Sequence, residues 1–255
     1  MNGEVTALEI IGLPRLPEVQ PGDNIVGMIG DVIEESGNGL RADDVLVVTQ
    51  KIVSKAEGQL VDLRTVDPSV FALDFAEQWN KDPRQVEVVL RESKRIVRMD
   101  RGVLITETRH GFVCANAGVD ASNVEVDTVS LLPVDPDGSA QTIRDGLGER
   151  FGVKPGVIVS DSFGRPWRVG IVNVAIGVAG LAALIDYRGQ YDAAGYELHV
   201  TVIAVADELA CAAELVSNKL DRRPVTLIRG YQPPLSMPHG SGRDLLLDPG
   251  RDMFR

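Results

Sequence analysis

The sequence predicts a mixed α/β (α+β) fold, with mixed sheets in two lobes that meet at a cleft. Three observations predict it. Short β-branched apolar runs recur at 44–49, 156–159 and 225–228, each the length of a buried strand. Stretches of helical character lie between them. The 255 residues, 44% hydrophobic and 25% charged, are enough for a substantial core.

Residues 7–12 read as a strand running into the turn at Leu13-Pro14, and Pro21-Gly22-Asp23 punctuates the approach to a helix from Ile25. Residues 44–49 form a buried strand, and the polar segment 50–58 after it is where a ligand meets the strand end. From 68 to 98 the pattern gives two helices broken at Asp82-Pro83. Residues 103–106 and 112–114 pair as strands around a turn at Arg109-His110-Gly111. The stretch 131–139 is turn-rich, with Ser139 as N-cap of a helix over 140–151. A second buried strand, 156–159, ends directly at Asp161. Residues 198–205 alternate and then become a strand, 206–218 form a helix, and 225–228 form a final core strand. There is no internal repeat. Pro233-Pro234 reads as a turn rather than a linker, so a single domain is expected over 1–255, with disorder confined to the last few residues.

The net charge of −11 argues against nonspecific nucleic-acid binding, which needs lysine and arginine against phosphate. Cys114 and Cys211 are far apart in apolar contexts and read as buried thiols, without the close spacing of a zinc site. The first residues lack a signal-peptide pattern, and the most apolar stretch, 169–185, is too short and too broken by Asn173 and glycines to span a membrane. A cytoplasmic protein is expected. The three histidines share no spacing with a nucleophile, so a hydrolase triad is not expected.

Two segments put an aspartate among small polar residues: Asn116-Ala-Gly-Val-Asp120-Ala-Ser122-Asn123 and Ser160-Asp161-Ser162-Phe-Gly164-Arg165. Hard divalent cations take carboxylate and hydroxyl oxygens, so Asp120, Asp161 and Ser162 are candidate metal ligands. Taken alone, each also suits a turn or helix cap. Lys55, after a buried strand, can face phosphate as a point charge or simply be solvated. Arg165 and Arg168 offer forked guanidiniums to a phosphate or carboxylate, or to surface ion pairs. No phosphate loop of the common kinds is present.

These segments, together with Asp44-Val-Leu-Val-Val-Thr-Gln-Lys-Ile-Val-Ser-Lys55-Ala-Glu-Gly58, occur in an order that resembles the coenzyme F420-0:γ-glutamyl ligase family. Leu131-Leu-Pro-Val-Asp-Pro-Asp-Gly-Ser-Ala140, Ala175-Ile-Gly-Val-Ala-Gly180 and Val205-Ala-Asp-Glu208 add to the resemblance, which spans about residues 8–231. It implies GTP-dependent amide formation between the carboxylate of F420-0 and L-glutamate, with further γ-linked glutamates, through an acyl phosphate. It implies GTP contacts from Leu13, Pro14, Arg15, Leu16, Gln50, Lys51, Lys55 and Asn123. Asp120 and Asp161 match ligands of a first Mg2+ or Mn2+, and Ser162 stands where a threonine helps bind a second metal. K+ is a further candidate cation.

Archaeal members carry a glycine-rich segment with a metal-binding glutamate about where Lys219 stands here. The lysine is therefore assigned to nucleotide phosphate and to part of the missing cation's charge, with Asp221 a weaker substitute ligand. Arg165 and Arg168 are the catalytic candidates, receiving phosphate or substrate carboxylate; no general base is recognisable. A homodimer is implied, free of membrane and nucleic acid. The flavin-binding reductase-like domain fused to some bacterial members is not expected in a chain of 255 residues. The rival readings are a non-catalytic nucleotide-binding regulator of the same fold and a metal-dependent phosphohydrolase.

Overall fold

A computed structural model describes residues 6–232 and 238–253; the Pro233-Pro234 turn and the final two residues lie outside that range. The elements in order are β1 (Glu9–Gly12), α1 (Ile25–Glu35), β2 (Val45–Thr49), α2 (Gln50–Ala56), β3 (Leu60–Asp62), α3 (Val70–Trp79) and α4 (Pro83–Glu92). Then come β4 (Ser93–Asp100), β5 (Val103–Thr108), β6 (Val113–Ala115), β7 (Thr128–Ser130), α5 (Pro136–Phe151), β8 (Gly156–Arg165) and β9 (Arg168–Ala179). β10 (Ile185–Asp186), β11 (Val202–Ile203), α6 (Val205–Ser217) and β12 (Val225–Arg229) complete the set. The expected mixed α+β class is what forms.

A five-stranded sheet in the order β1-β12-β2-β8-β9 is the centre of the molecule. Only β2 and β8 run parallel; the other pairs are antiparallel. Alternation along β2 sends Leu46 and Val48 to one face and Val45 and Val47 to the other. On the first face they pack with Ile29 and Ile33 of α1 and Ile143 and Leu147 of α5; on the second, with Val205 and Leu209 of α6. Because both faces are covered, β2 and its neighbours read as unbroken apolar runs rather than alternating ones. At the sheet's edge, α5 comes so close to β9 that a methyl on Gly177 would lie 2.2 Å from the Pro136 carbonyl oxygen.

Residues 60–130 build the other side. β4, β5 and β6 form a three-stranded antiparallel sheet. α3 and α4 pack on it through Phe75, Val86, Val89 and Leu104. A smaller cluster of Leu63, Val66, Val88 and Val129 lies beside the β3–β7 ribbon.

The structure corrects several boundaries. The segment 50–58 is helical from its first residue, because Ile52, Val53 and Ala56 share the spacing that buries one helix face in the core. The second of the paired helices ends at Glu92; residues 93–100 are drawn into a strand beside β5, where Glu107 pairs with Lys94 and Arg95. Asp135, not Ser139, caps α5: its carboxylate accepts the Gly138 N–H, and Pro136 fits the first turn, where no N–H is needed. β8 does not stop at Asp161 but continues to Arg165, paired with the whole length of β9, a strand the apolar pattern of 169–185 does not predict. Of residues 198–205 only Val202–Ile203 pair as strand, and α6 begins at Val205.

Candidate functional site

A cleft of about 1,080 Å³ opens at the carboxyl ends of the parallel strands β2 and β8, facing residues 60–64 and 120–128 across the gap. Two features of the chain deliver Asp161 there. β8 is still paired at this point, and β9 carries one extra residue, Ile176, between the pairs Val159–Gly177 and Ser160–Ala175. Such a bulge re-aims the side chains that follow it. Asp120 reaches the cleft from the opposite side. Three successive left-handed residues, Asn116, Ala117 and Gly118, turn the chain, and the Asp120 backbone then exchanges two hydrogen bonds with Ser130.

The two aspartates carry different charge environments. Burial works against a charge on Asp120, but the Lys51 ammonium, together with the Ser122 amide and hydroxyl, outweighs it and holds the carboxyl below its usual range. Lys51 also donates to the Ser122 carbonyl at 2.9 Å. Among the described residues Asp161 has no such partner. Burial, reinforced by the Asp120 charge, pushes it up to about 6, against the pull of the Ser162 amide, Lys51 and Lys219. The neighbouring Cys114 thiol is pushed up to about 12, by burial first and by Asp161 second.

Beyond Asp161 a hydrogen-bonded chain runs across the cleft wall. Lys219 Nζ donates to Ser162 Oγ at 2.7 Å, Ser162 Oγ donates to Asn173 Oδ1 at 2.8 Å, and Asn173 Nδ2 donates to Glu214 Oε2 at 2.9 Å. Lys55, deep in the wall, pairs with Glu18 on the opposite loop.

The structure thus brings together in one cleft Leu16, Gln50, Lys51, Lys55, Asp120, Asn123, Asp161, Ser162 and Lys219. It does not bring in all the candidates. Leu13 is fully enclosed in the main core, so its side chain meets no ligand. Pro14 and Arg15 lie outside the lining, with Arg15 Nε donating to the Asp221 carbonyl at 2.9 Å. Arg165 and Arg168 face each other at the end of the β8–β9 hairpin, next to the exposed Trp167, and neither lines the cleft. Glu214 and Asn173 are cleft residues that sequence reasoning missed. The available signal was Asn173 itself, the single polar side chain between 169 and 185.

Carboxylates of Asp120 and Asp161 with the Ser162 hydroxyl make the hard oxygen set that suits Mg2+ or Mn2+. Among the described residues the buried Ser160 hydroxyl beside them has no hydrogen-bond partner, and no lysine or arginine forms an ion pair with Asp161. Among the described residues no three His, Cys, Asp or Glu side chains converge as a metal cage. An ion held here would need further ligands from substrate oxygens and water, as magnesium usually does.

Over residues 14–230 the chain matches the family model described as F420-0:gamma-glutamyl ligase. The chain belongs to the F420-0:γ-glutamyl ligase family. Among relatives of this ligase family, the coenzyme F420:L-glutamate ligase of Methanothermobacter thermautotrophicus is 45% identical over 249 residues, 97% of this chain and 99% of that protein. The protein of the same name from Methanopyrus kandleri is 45% identical over 256 residues, covering 99% of this chain and all of the relative. That from Methanocaldococcus jannaschii is 42% identical over 258 residues, the full length of both. Among the described residues of this family member, no helix is long and apolar enough to cross a membrane.

Proposed function

We propose that the protein joins L-glutamate to coenzyme F420-0, using GTP to activate the acceptor carboxylate as an acyl phosphate, and that further γ-linked glutamates are added at the same site. One observation carries the reading: Lys51, Lys55, Asn123, Asp120, Asp161, Ser162 and Lys219 line a single cleft, in a chain similar along nearly its whole length to proteins of that name. The chemistry asks for such a cleft. A carboxylate is a poor electrophile, and converting it to an acyl phosphate supplies a leaving group. Two anionic reactants must first be held together.

Lys55 and Lys219 meet the nucleotide phosphates as point charges, while Gln50, Leu16 and Asn123 contact the remainder of GTP. Lys51 fixes Asp120 and so shapes the acidic edge. Asp120, Asp161 and Ser162 would hold Mg2+ or Mn2+, which would supply charge neutralisation between the phosphoryl donor and the acceptor carboxylate. K+ belongs to the reading as an additional cation, and a cytoplasmic homodimer as the working form.

Mass spectrometry of F420-0 incubated with the protein, GTP, Mg2+ and L-glutamate tests it. The expected result is a mass gain of one or more glutamate residues, dependent on GTP and not supported by ATP. Phosphate release that ignores glutamate would instead mark a phosphohydrolase, and GTP binding without turnover a regulator.

A further inference from the structure

We propose that the Glu214 carboxylate receives the amino group of the incoming L-glutamate and takes a proton from it. The inference rests on the ligase reading above and supplies the base that the reaction needs. An amine at neutral pH is an ammonium ion, and it cannot attack an acyl phosphate until it has lost a proton.

The acids of the cleft are not equally free to serve. Asp120 is bound to Lys51, Glu18 to Lys55 and Asp62 to Arg64, while Asp161 belongs to the metal-ligand set. Glu125 lies on the exposed rim. Glu214 is partly buried in the last turn of α6, and among the described residues no lysine or arginine forms an ion pair with it.

Its partners are neutral. Asn173, only 5% exposed, donates to Oε2 at 2.9 Å, and the Ser217 hydroxyl, which donates to the Ala213 carbonyl at 3.1 Å, lies 3.4 Å from the same oxygen. The Asn173 bond orients the group without cancelling its charge. Oε1 is left without a partner among the described residues, and a carboxylate in this condition attracts an ammonium.

Position completes the argument. Asn173 is the register partner of Ser162 across β8 and β9, and its Oδ1 accepts the Ser162 hydroxyl at 2.8 Å. One amide side chain therefore separates Glu214 from the Asp161–Ser162 edge of the cleft, where the ligase reading puts the phosphoryl end of the reaction.

In the step, Glu214 removes one proton from the ammonium. The nitrogen lone pair attacks the acyl carbon and forms the C–N bond, and the acyl C–O bond then breaks with its electron pair leaving on phosphate. A second proton passes from nitrogen to the departing phosphate, and Glu214 returns the first to solvent. The balance is acyl phosphate plus ammonium giving amide, hydrogen phosphate and one proton.

Hydroxylamine separates this role from the activation step, because it is a weak base already neutral at working pH and needs no deprotonation to trap an acyl phosphate as hydroxamate. The protein and its Glu214→Gln variant are each incubated with F420-0, GTP and Mg2+, with either L-glutamate or hydroxylamine. The unaltered protein is expected to give both products. Glu214→Gln is expected to keep hydroxamate formation but to lose glutamate ligation by at least roughly 100-fold. Undiminished ligation in Glu214→Gln, or equal loss of both products, would overturn the role of Glu214. Failure of the unaltered protein to give either product would overturn the ligase reading beneath it.

Discussion

Lys51 reaches across the cleft to the Asp120 carboxylate and to the carbonyl and hydroxyl of Ser122, so one ammonium organises three oxygens of the facing loop. Among the described residues Asp161 is answered by the Ser162 amide and by the charges of Lys51 and Lys219, without an ion pair of its own. Replacing either aspartate by asparagine keeps the volume and removes the charge. Asp120→Asn and Asp161→Asn should each slow ligation by roughly 10²–10³-fold, the scale of lost electrostatic stabilisation. Steady-state rates at saturating Mg2+ check this, and near-normal turnover in either variant would remove that residue from the ligand set.

The thiols give a second expectation at this scale. Cys114 is buried, and burial with the nearby Asp161 pushes its thiol well above the usual range; Cys211 is partly accessible, although burial raises it too. Alkylation of the folded protein followed by peptide mapping should label Cys211 first, with Cys114 reacting only on unfolding. Equal labelling in the native state would contradict the packing around β6.

Single residues were legible in the sequence where chemistry leaves a local mark. Asp120 and Asp161 stand beside glycine and serine, and Lys51 and Lys55 follow an apolar strand. Glu214 leaves no such mark: it lies in a helix between Ala213 and Leu215, and its importance appears only when β9 brings Asn173 beside it.

Among the elements, β2 is fastened at its start by Asp44, fully buried, which holds Arg229 of β12 through two bonds of 2.8 Å. Removing one member of such a pair leaves the other charge buried and unanswered. Asp44→Ala should cost about 3–5 kcal/mol in equilibrium urea unfolding, and a change near zero would mean that Arg229 finds water. The α5–β9 contact is limited by Gly177. Gly177→Ala should destabilise by about 1–3 kcal/mol through overpacking against the backbone at Pro136, measurable in the same titration.

These elements also show what the sequence displays and what it conceals. The strands β2 and β12 and the helices α1, α3 and α6 have lengths and apolar patterns that isolate them without tertiary information. The far half of β8 and the first half of β9 do not. They form a hairpin whose outer residues are exposed, so pairing rather than burial decides their conformation, and pairing partners are not written in either run alone. The helix α2 was hidden for a different reason: it follows β2 with no intervening residue, and its polar members masked the buried stripe of Ile52, Val53 and Ala56.

At the scale of the molecule, segments distant in sequence are drawn together by a few groups. The cleft itself needs both the sheet ends and residues 60–64 and 120–128. On the opposite flank of β9, Asp137 in the first turn of α5 accepts the N–H of Val178 at 2.8 Å and that of Gly242 at 2.6 Å. The segment around 242 is thereby tied to β9, with Gly240 donating to the Leu181 carbonyl and Leu245 and Leu246 packed against the two main cores. Asp137→Ala leaves both N–H groups without that acceptor. Hydrogen exchange at Gly242 should speed up, and limited proteolysis within 238–253 should become faster, while the cores stay protected. Unchanged protection at 242 would show that apolar packing alone holds the segment.

Both hydrogens that reach Asp137 belong to the main chain, and this gives the junction an unusual tolerance. Every amino acid except proline brings the same donor to position 178, so substitution there can alter packing without untying the knot. At 242 the constraint is one of space, since a methyl would lie 2.3 Å from the Ile176 carbonyl oxygen. The two hydrogen bonds to Asp137 thus depend on two letters, an aspartate and a glycine 105 positions apart. Where the rest of the segment lies still depends on Gly240, whose added methyl would lie 2.5 Å from the Ala183 nitrogen, and on the packing of Leu245 and Leu246.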